Sequence, residues 1–592
     1  MNSTTPAIVS QSAVRQLPRT VLLLFCLIYA LPGFIGREPW KTADATAFGV
    51  MIDLVRGGDW WAPGVLGAPA ETAGWLAYWL GAWAIQALPF LTPENAARLP
   101  FIALVLFTFA CTWYSVYHLA RQPDAQPVSF AFGGEASPRD YARALADAAV
   151  LALMACLGLA QLSHETTPDV TRLAGAAAML YGACRLAGTA SSRRSPRAMY
   201  RAALGWLTGC VLLVFAGAPW LALVLGAGLV AIPALARARP QQADATDSTP
   251  LSSAAQGHDR SLGLFAGLLA LTWLAAWWLG VLAPMPWPAL PATLEDWQRW
   301  GRLMTWFTWP AWPMAIWTLW RWRHQLASPH VLVPLWFTGV SILHSFASAD
   351  HLDRALLPSL PGFAVLAAFA LPTMRRSMSS LIDWFTLLFF SVCALIIWVI
   401  WLAMMTGFPA KPAANVAKLA PGFRPEFSLV LFLAGALATL AWVGLVAWRT
   451  GRHRQALWKS LVLPAAGATL CWLLLTSLWL PLLDHALSYG PLSRRIATLV
   501  PAGSCVVVDG LNHAQESALR HHGNLDLVRI GARHQDQCRA LVVESERQDS
   551  LWERTELTQW AYRSTVRRLT DRQERFALYI RVRPDPAANS KP

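Results

Sequence analysis

Apolar stretches long enough to cross a bilayer recur along this chain, separated by short connections that carry most of its charge. A helix of about 20 apolar residues spans the hydrocarbon layer. Inside that layer each backbone polar group must be satisfied by its own segment, so such a chain folds as a bundle of helices. Candidate spans run near 20–36, 96–119, 144–162, 170–188, 202–217, 219–236, 262–283, 306–320, 330–347, 355–373, 382–406, 427–447 and 460–482. That is about thirteen by length and hydropathy. Only 14% of residues are charged, against about 25% in a soluble domain.

The formal charge of +14 does not point to nucleic acid, because the bases form no contiguous stripe. They collect in short connections: Ser191 to Arg201, Trp320 to His324, Met374 to Arg376 and Trp448 to Arg454. These alternate with connections poorer in bases, the pattern expected when basic loops face the cytoplasm. Arg15 and Arg19 precede the first apolar run without a convincing small-residue cleavage site after it, which predicts a retained first span and a cytoplasmic N-terminus. The outer connections are then 36–95, 163–169, 216–219, 284–302, 348–354 and 407–426, and the C-terminus is outside. Most tryptophans, among them Trp277, Trp306 and Trp312, lie near span ends as an interfacial belt. The inner connection 240–260 is rich in Ser, Ala and Gln and reads as disordered.

One outer loop stands apart. From Arg37 to Ala70 it packs carboxylates, bases and tryptophans into a short length of chain. Its TADATAFGVMIDLVRGG places Phe48, Met51, Ile52 and Val55 at helical spacing, which predicts an amphipathic helix lying in the interface. The apolar 74–91 reads as an interfacial or re-entrant helix, since a full span there would invert every later loop.

After Leu483 the composition becomes that of a soluble fold. The runs 505–510, 538–545 and 574–583 read as strands; NHAQESALRHHG and LWERTELTQWAYRSTVRRL read as helices. The expected organisation is a membrane domain over 1–483 and a small extracytoplasmic α/β domain over 484–592. In an oxidising compartment its Cys505 and Cys538 could form a disulfide or remain two small buried hydrophobes, and sequence leaves both open.

Ionisable groups near lipid are costly, so those on the outer face are the candidates for chemistry. The acids include Asp44, Glu165, Asp169 and Asp353; the bases and imidazoles include Arg37, Lys41, His164, Arg172, His351 and Arg354. Such a set could hold an anionic lipid phosphate and supply a general base, or be ordinary solvated loop charge. Asp44 opens the helix of the first loop; Asp169 opens the fourth span, where a carboxylate also suits simple capping. HETTP lacks the second imidazole of a zinc helix, and no Walker loop, GxSxG or CxxC is present. Paired carboxylates could bind Mg2+ or Mn2+, although nothing in their spacing demands it.

The order TADATAFGVMIDLVRGGDWWAP, then GWLAYWLGAW, then AARLPFIALV resembles the GT-C glycosyltransferases, in particular the aminoarabinose lipid A transferase and protein mannosyltransferase clan. The TTPD turn and SFASADHLDRALLPSLPGFAVL resemble that clan's later landmarks. The resemblance implies a bacterial inner-membrane enzyme with a periplasmic C-terminal domain. It would move a hexose or pentose from a polyprenyl-phosphate carrier to a lipid, glycan or protein of the cell envelope. By position, Asp44 and Asp169 would be the catalytic acids. Arg37, Lys41, His164, Glu165, Arg172, His351 and Arg354 would contact substrate. Two departures stand out: Ala43-Asp44 replaces an Asp-Glu pair, and Glu71-Thr72-Ala73 lacks the clan's lysine. The alternative readings are an inactive scaffold on the same fold, or a transport or assembly protein. Transport is disfavoured because ionisable residues sit at span ends rather than mid-span.

Overall fold

The computed structural model describes residues 5–70, 74–187, 196–237, 251–282, 290–346, 352–450, 456–532, 535–571 and 573–582. Glu71, His351 and the 240–250 part of the expected disordered connection lie outside them. From Leu251 the chain is helical, in the helix Leu251–Trp278. The order begins α1 Arg19–Ala30, α2 Ala43–Val55, α3 Trp75–Ala87, α4 Pro93–Leu119, α5 Pro138–Ala155, α6 Leu157–Leu162 and α7 Pro168–Ala187.

Six described helices are long and apolar enough to cross a membrane: Pro93–Leu119, Pro196–Phe215, Leu352–Thr373, Ser377–Thr406, Leu429–Arg449 and Lys459–Ser477. Arg19–Ala30, Pro219–Gly228 and Gly263–Trp278 are apolar but shorter. The sequence expectation was about thirteen spans. The difference arises partly where a continuous apolar run does not make a continuous helix. The expected span 144–162 divides into α5 and α6, because Cys156 takes an extended conformation (φ −64°, ψ 118°) between them. α7 owes its packing to small residues: a Cβ on Gly209 of the helix Pro196–Phe215 would lie 2.5 Å from the backbone nitrogen of Met179. Backbones that approach this closely gain dispersion contacts where no hydrophobic effect separates helix from lipid.

Of the two loop helices, α2 takes a different place from the interfacial one expected. α3 has 13 residues, about 20 Å at 1.5 Å per residue, too short to cross. α2 forms where the periodicity placed it, but it is enclosed rather than half-bathed in headgroups: Phe48, Val50, Met51 and Leu54 are all buried. One side packs on α3, where Met51 fills the space at Gly81, and the other meets the helix His513–His521 of the C-terminal region. A Cβ on Gly49 would fall 2.3 Å from the Cβ of Ser517, so only glycine lets these two helices touch. Between α2 and α3 a two-residue hairpin pairs β1 Gly64–Val65 with β2 Ala68–Pro69.

The C-terminal region is a five-stranded sheet of β3 Val506–Asp509, β4 Leu527–Arg529, β5 Ala540–Glu544, β6 Trp560–Arg567 and β7 Arg575–Arg581, in the order β4-β3-β5-β7-β6. β3 pairs in parallel with β4 and β5, the helix His513–His521 forming the crossover to β4; β7 pairs antiparallel with β5 and β6. The three expected strands are present. The helix expected over LWERTELTQWAYRSTVRRL is replaced by short 3-10 turns followed by β6. Its aromatic and β-branched residues suit a strand, and β7 offers an unpaired edge along which WAYRSTVR satisfies its backbone.

Cys505 and Cys538 are joined, holding the start of β3 to the approach to β5 across 33 residues of chain. Closing a loop of that length stabilises a fold by about 3–4 kcal/mol in the chain-entropy account. Cys505→Ala is therefore expected to lower the unfolding midpoint of the C-terminal region, read by hydrogen exchange of β3 and β5, while the membrane helices keep their protection.

Candidate functional site

The segment from Arg37 to Lys41 leaves α1 and reaches in several directions at once. Arg37, 2% exposed, donates from Nη2 to Asp44 Oδ2 (2.9 Å) and to the carbonyl of His164 (2.7 Å). Its Cζ lies 4.5 Å above the Trp40 ring, a cation–π contact in a desolvated setting. Trp40 donates from Nε1 to Asp484 Oδ1 (2.7 Å), and Glu38 pairs with Arg494 (3.3 Å). Lys41 turns to the C-terminal region, 3.0 Å from Asp571 and 4.0 Å from Glu574. This loop thus ties the membrane helices to the sheet behind them.

Asp44 is at the first turn of α2 and 1% exposed. Oδ1 accepts from Thr166 N and Thr166 Oγ1, both at 2.8 Å; Oδ2 accepts from Arg37 and, at 3.3 Å, from Trp40 N. Burial alone would raise its pKa. The charges of Arg37 and Arg98 and the Thr166 hydrogen bonds outweigh burial and hold the carboxyl below its ordinary range. Asp44 is an anion at neutral pH and fastens α2 to the SHETTPD turn.

That turn carries three of the other residues selected from sequence. His164 faces inward, packed against Phe34 and Trp472 with ring centroids 5.0 and 4.8 Å away, and its Nε2 lies 3.0 Å from the Tyr29 carbonyl. Burial lowers its pKa to about 4, so it is neutral. Glu165 is 1% exposed and held by a two-pronged contact: Arg354 Nε donates to Oε2 (3.1 Å), and Nη2 reaches Oε1 (3.0 Å) and Oε2 (2.9 Å). Burial pushes Glu165 up to about 7; Asp44's charge adds to the rise, and Arg354 opposes it. Asp169, at the start of α7, accepts from Arg172 Nη1 (2.8 Å), while Arg172 Nε donates to the Ala216 carbonyl (2.9 Å). Arg354 lies within electrostatic reach of both Glu165 and Asp169, which closes the group.

The structure therefore brings together Arg37, Asp44, Glu165, Arg354, Asp169 and Arg172, three guanidinium groups among three carboxyl groups. It sets Lys41 against the sheet and His164 in the apolar core. Both carboxylate oxygens of Asp44 and of Glu165 are matched to guanidinium or backbone donors, so a divalent ion at either would have to displace Arg37 or Arg354.

Three contributors escaped the sequence reading. Arg98 sits buried in the first turns of α4 and donates to the Phe34 carbonyl (3.1 Å), near Asp44. Its signal was available: an arginine inside an apolar span needs a partner. Asp484 anchors both Trp40 Nε1 and Glu38 N, and burial raises its pKa to about 6. Thr166, which supplies two of Asp44's hydrogen bonds, has no sequence signal beyond its place in the turn.

No protein-family profile matches the chain, and no curated protein matches it in sequence. Among solved structures, ArnT from Cupriavidus metallidurans bound to undecaprenyl phosphate superposes with a TM-score of 0.60 at 13% identity, over 95% of this chain and 98% of that one. The apo form of the same protein gives 0.60 and 13%, over 95% and 97%. The chain thus has the GT-C fold of ArnT along nearly its whole length, with the C-terminal sheet included in the match.

Proposed function

We propose that this protein is a glycosyltransferase of a bacterial inner membrane. It takes a sugar from a polyprenyl-phosphate carrier on the periplasmic face and transfers it to a hydroxyl of a lipid, glycan or protein. The observation that carries this reading is the buried Arg37–Asp44 and Arg354–Glu165 pairs on a fold shared with a protein seen holding undecaprenyl phosphate.

The chemistry assigns the parts. The acceptor oxygen attacks the anomeric carbon as the bond from that carbon to the phosphate oxygen breaks. The hydroxyl proton passes to a carboxylate, and polyprenyl phosphate leaves with its added charge. Glu165, with its raised pKa, takes that proton in this scheme, and Asp169, whose side chain keeps 11% exposure, accepts a hydrogen bond from the incoming hydroxyl and orients it. Asp44 is the anion around which the site is assembled. Arg354 and Arg172 are the forks that a phosphate would recruit, since a guanidinium binds phosphate oxygens in the two-pronged manner it uses for carboxylate. Arg37 stays with Asp44.

Purified protein in detergent, offered a panel of polyprenyl-phosphate sugars and envelope acceptors, is expected to turn over one of them. Asp169→Asn then lowers turnover by about 100-fold or more, and Asp44→Asn lowers both turnover and stability. Transfer untouched by either change would remove the site assignment. No donor binding at all would favour an inactive scaffold on the same fold.

A further inference from the structure

Away from the Asp44 and Glu165 group, the beginning of α4 meets the end of the helix His513–His521 at Glu94, His521 and His522. His521 Nε2 lies 2.6 Å from Glu94 Oε1, and the two imidazole centroids are 4.9 Å apart. One ligand-type atom from each of the three lies within 4.8 Å of the other two. A simple ion pair accounts for Glu94 and His521 but gives His522 no role, and its side chain makes no hydrogen bond among the described residues. Beside them stands Glu38, whose buried Oε2 also has no hydrogen-bond partner among the described residues and whose charge His522 feels. The nearby arginines are already matched, Arg494 by Glu38 and Arg520 by Asp53.

We propose that Glu94, His521 and His522 bind a transition-metal ion, Zn2+ foremost, which fastens the C-terminal region to the start of α4. Two imidazoles and one carboxylate suit zinc rather than Mg2+ or Ca2+, which take oxygen ligands. Bonds of about 2.0–2.2 Å in a tetrahedron put ligand atoms roughly 3.3 Å apart. Reaching that spacing draws the widest separation in by at most about 1.5 Å and opens the Glu94–His521 pair by about 0.7 Å, within the reach of torsions in half-buried residues. A water or Glu38 completes the fourth position. The ion joins an element that enters the membrane to one that belongs to the sheet, so its role is to hold the two together.

The test uses full-length protein in detergent, without a polyhistidine tag, stripped by chelator and returned to Zn2+. The expected result is one zinc per chain, X-ray absorption showing two imidazole ligands, and a higher melting temperature than the stripped protein. His522→Gln, which breaks no described hydrogen bond, is expected to weaken binding by about 100-fold or more and to abolish the thermal gain. Its metal-free melting should match that of the metal-free natural protein, and the exposed His324, changed to Gln, should leave binding unaltered. Substoichiometric zinc in the natural protein, or affinity unmoved by His522→Gln and Glu94→Gln, overturns the site.

Discussion

Arg37→Ala lowers the stability of the folded protein by about 3–5 kcal/mol and removes transfer activity with it. Both partners of the pair are essentially sealed from water, with side-chain exposures of 0% and 1%. Removing the guanidinium leaves a carboxylate that still accepts from Thr166 and Trp40 but has lost its nearest positive charge. The loss is therefore dominated by an uncompensated buried anion rather than by one missing hydrogen bond. The double change Arg37→Met with Asp44→Asn separates these terms. Asparagine keeps an acceptor for Thr166 and carries no charge, so the double variant is expected to regain more than half of the lost stability while activity stays absent. Thermal unfolding in detergent reads the first quantity and sugar transfer the second. A loss in the double variant equal to the sum of the losses of Arg37→Met and Asp44→Asn measured singly would show that the two residues are not energetically coupled. The pH response follows from the lowered pKa of Asp44: its stabilisation is fully present above its ordinary value near 3.8 and is lost as pH falls through the lower folded value.

The apolar spacing made the helical class legible, and the loop periodicity located α2, within a residue of its start although three residues beyond its end. What periodicity could not convey was which surface would cover α2. Phe48 and Met51 look alike as apolar residues, yet one faces His521, with rings 5.0 Å apart, and the other faces Gly81. Hydrophobicity does not distinguish a lipid headgroup from a neighbouring domain as the covering surface. β6 was misread for a related reason. WAYRSTVR has neither clean alternation nor helical spacing, and its partner strand β7 fixes its state. At the site, acids and bases could be named from their positions in outer loops, but their pairing could not. Lys41 and Arg37 are four residues apart and equally cationic; only the fold sends one to Asp571 and the other to Asp44. Glu165 was visible as a charge in a short turn, whereas its bond to Arg354 spans 189 residues of sequence.

That long-range pair governs the second large effect. Transfer is expected to rise with pH along a limb centred near 7, because Glu165 must be ionised to take the acceptor's proton and burial holds its pKa at about 7. Glu165→Gln flattens the limb and lowers turnover by about 100-fold or more. Arg354 opposes the rise in Glu165's pKa, so Arg354→Ala moves the limb upward, and a bound phosphate that draws Arg354 away from Glu165 acts in the same direction. The exposures favour this exchange: Arg354 is the member of the pair that water reaches, at 14% against 2% for Glu165. Stability runs the opposite way from activity. A carboxyl whose folded pKa is raised contributes stability that is fully present below its ordinary value near 4.5 and is lost as pH climbs through about 7. The protein should therefore become less stable over the same interval in which it becomes more active, and Glu165→Gln should remove both trends together. A profile already flat between pH 5 and 8 would instead fit a base held well below the usual carboxylate range, as Asp44 is, and would move the proton acceptor away from Glu165.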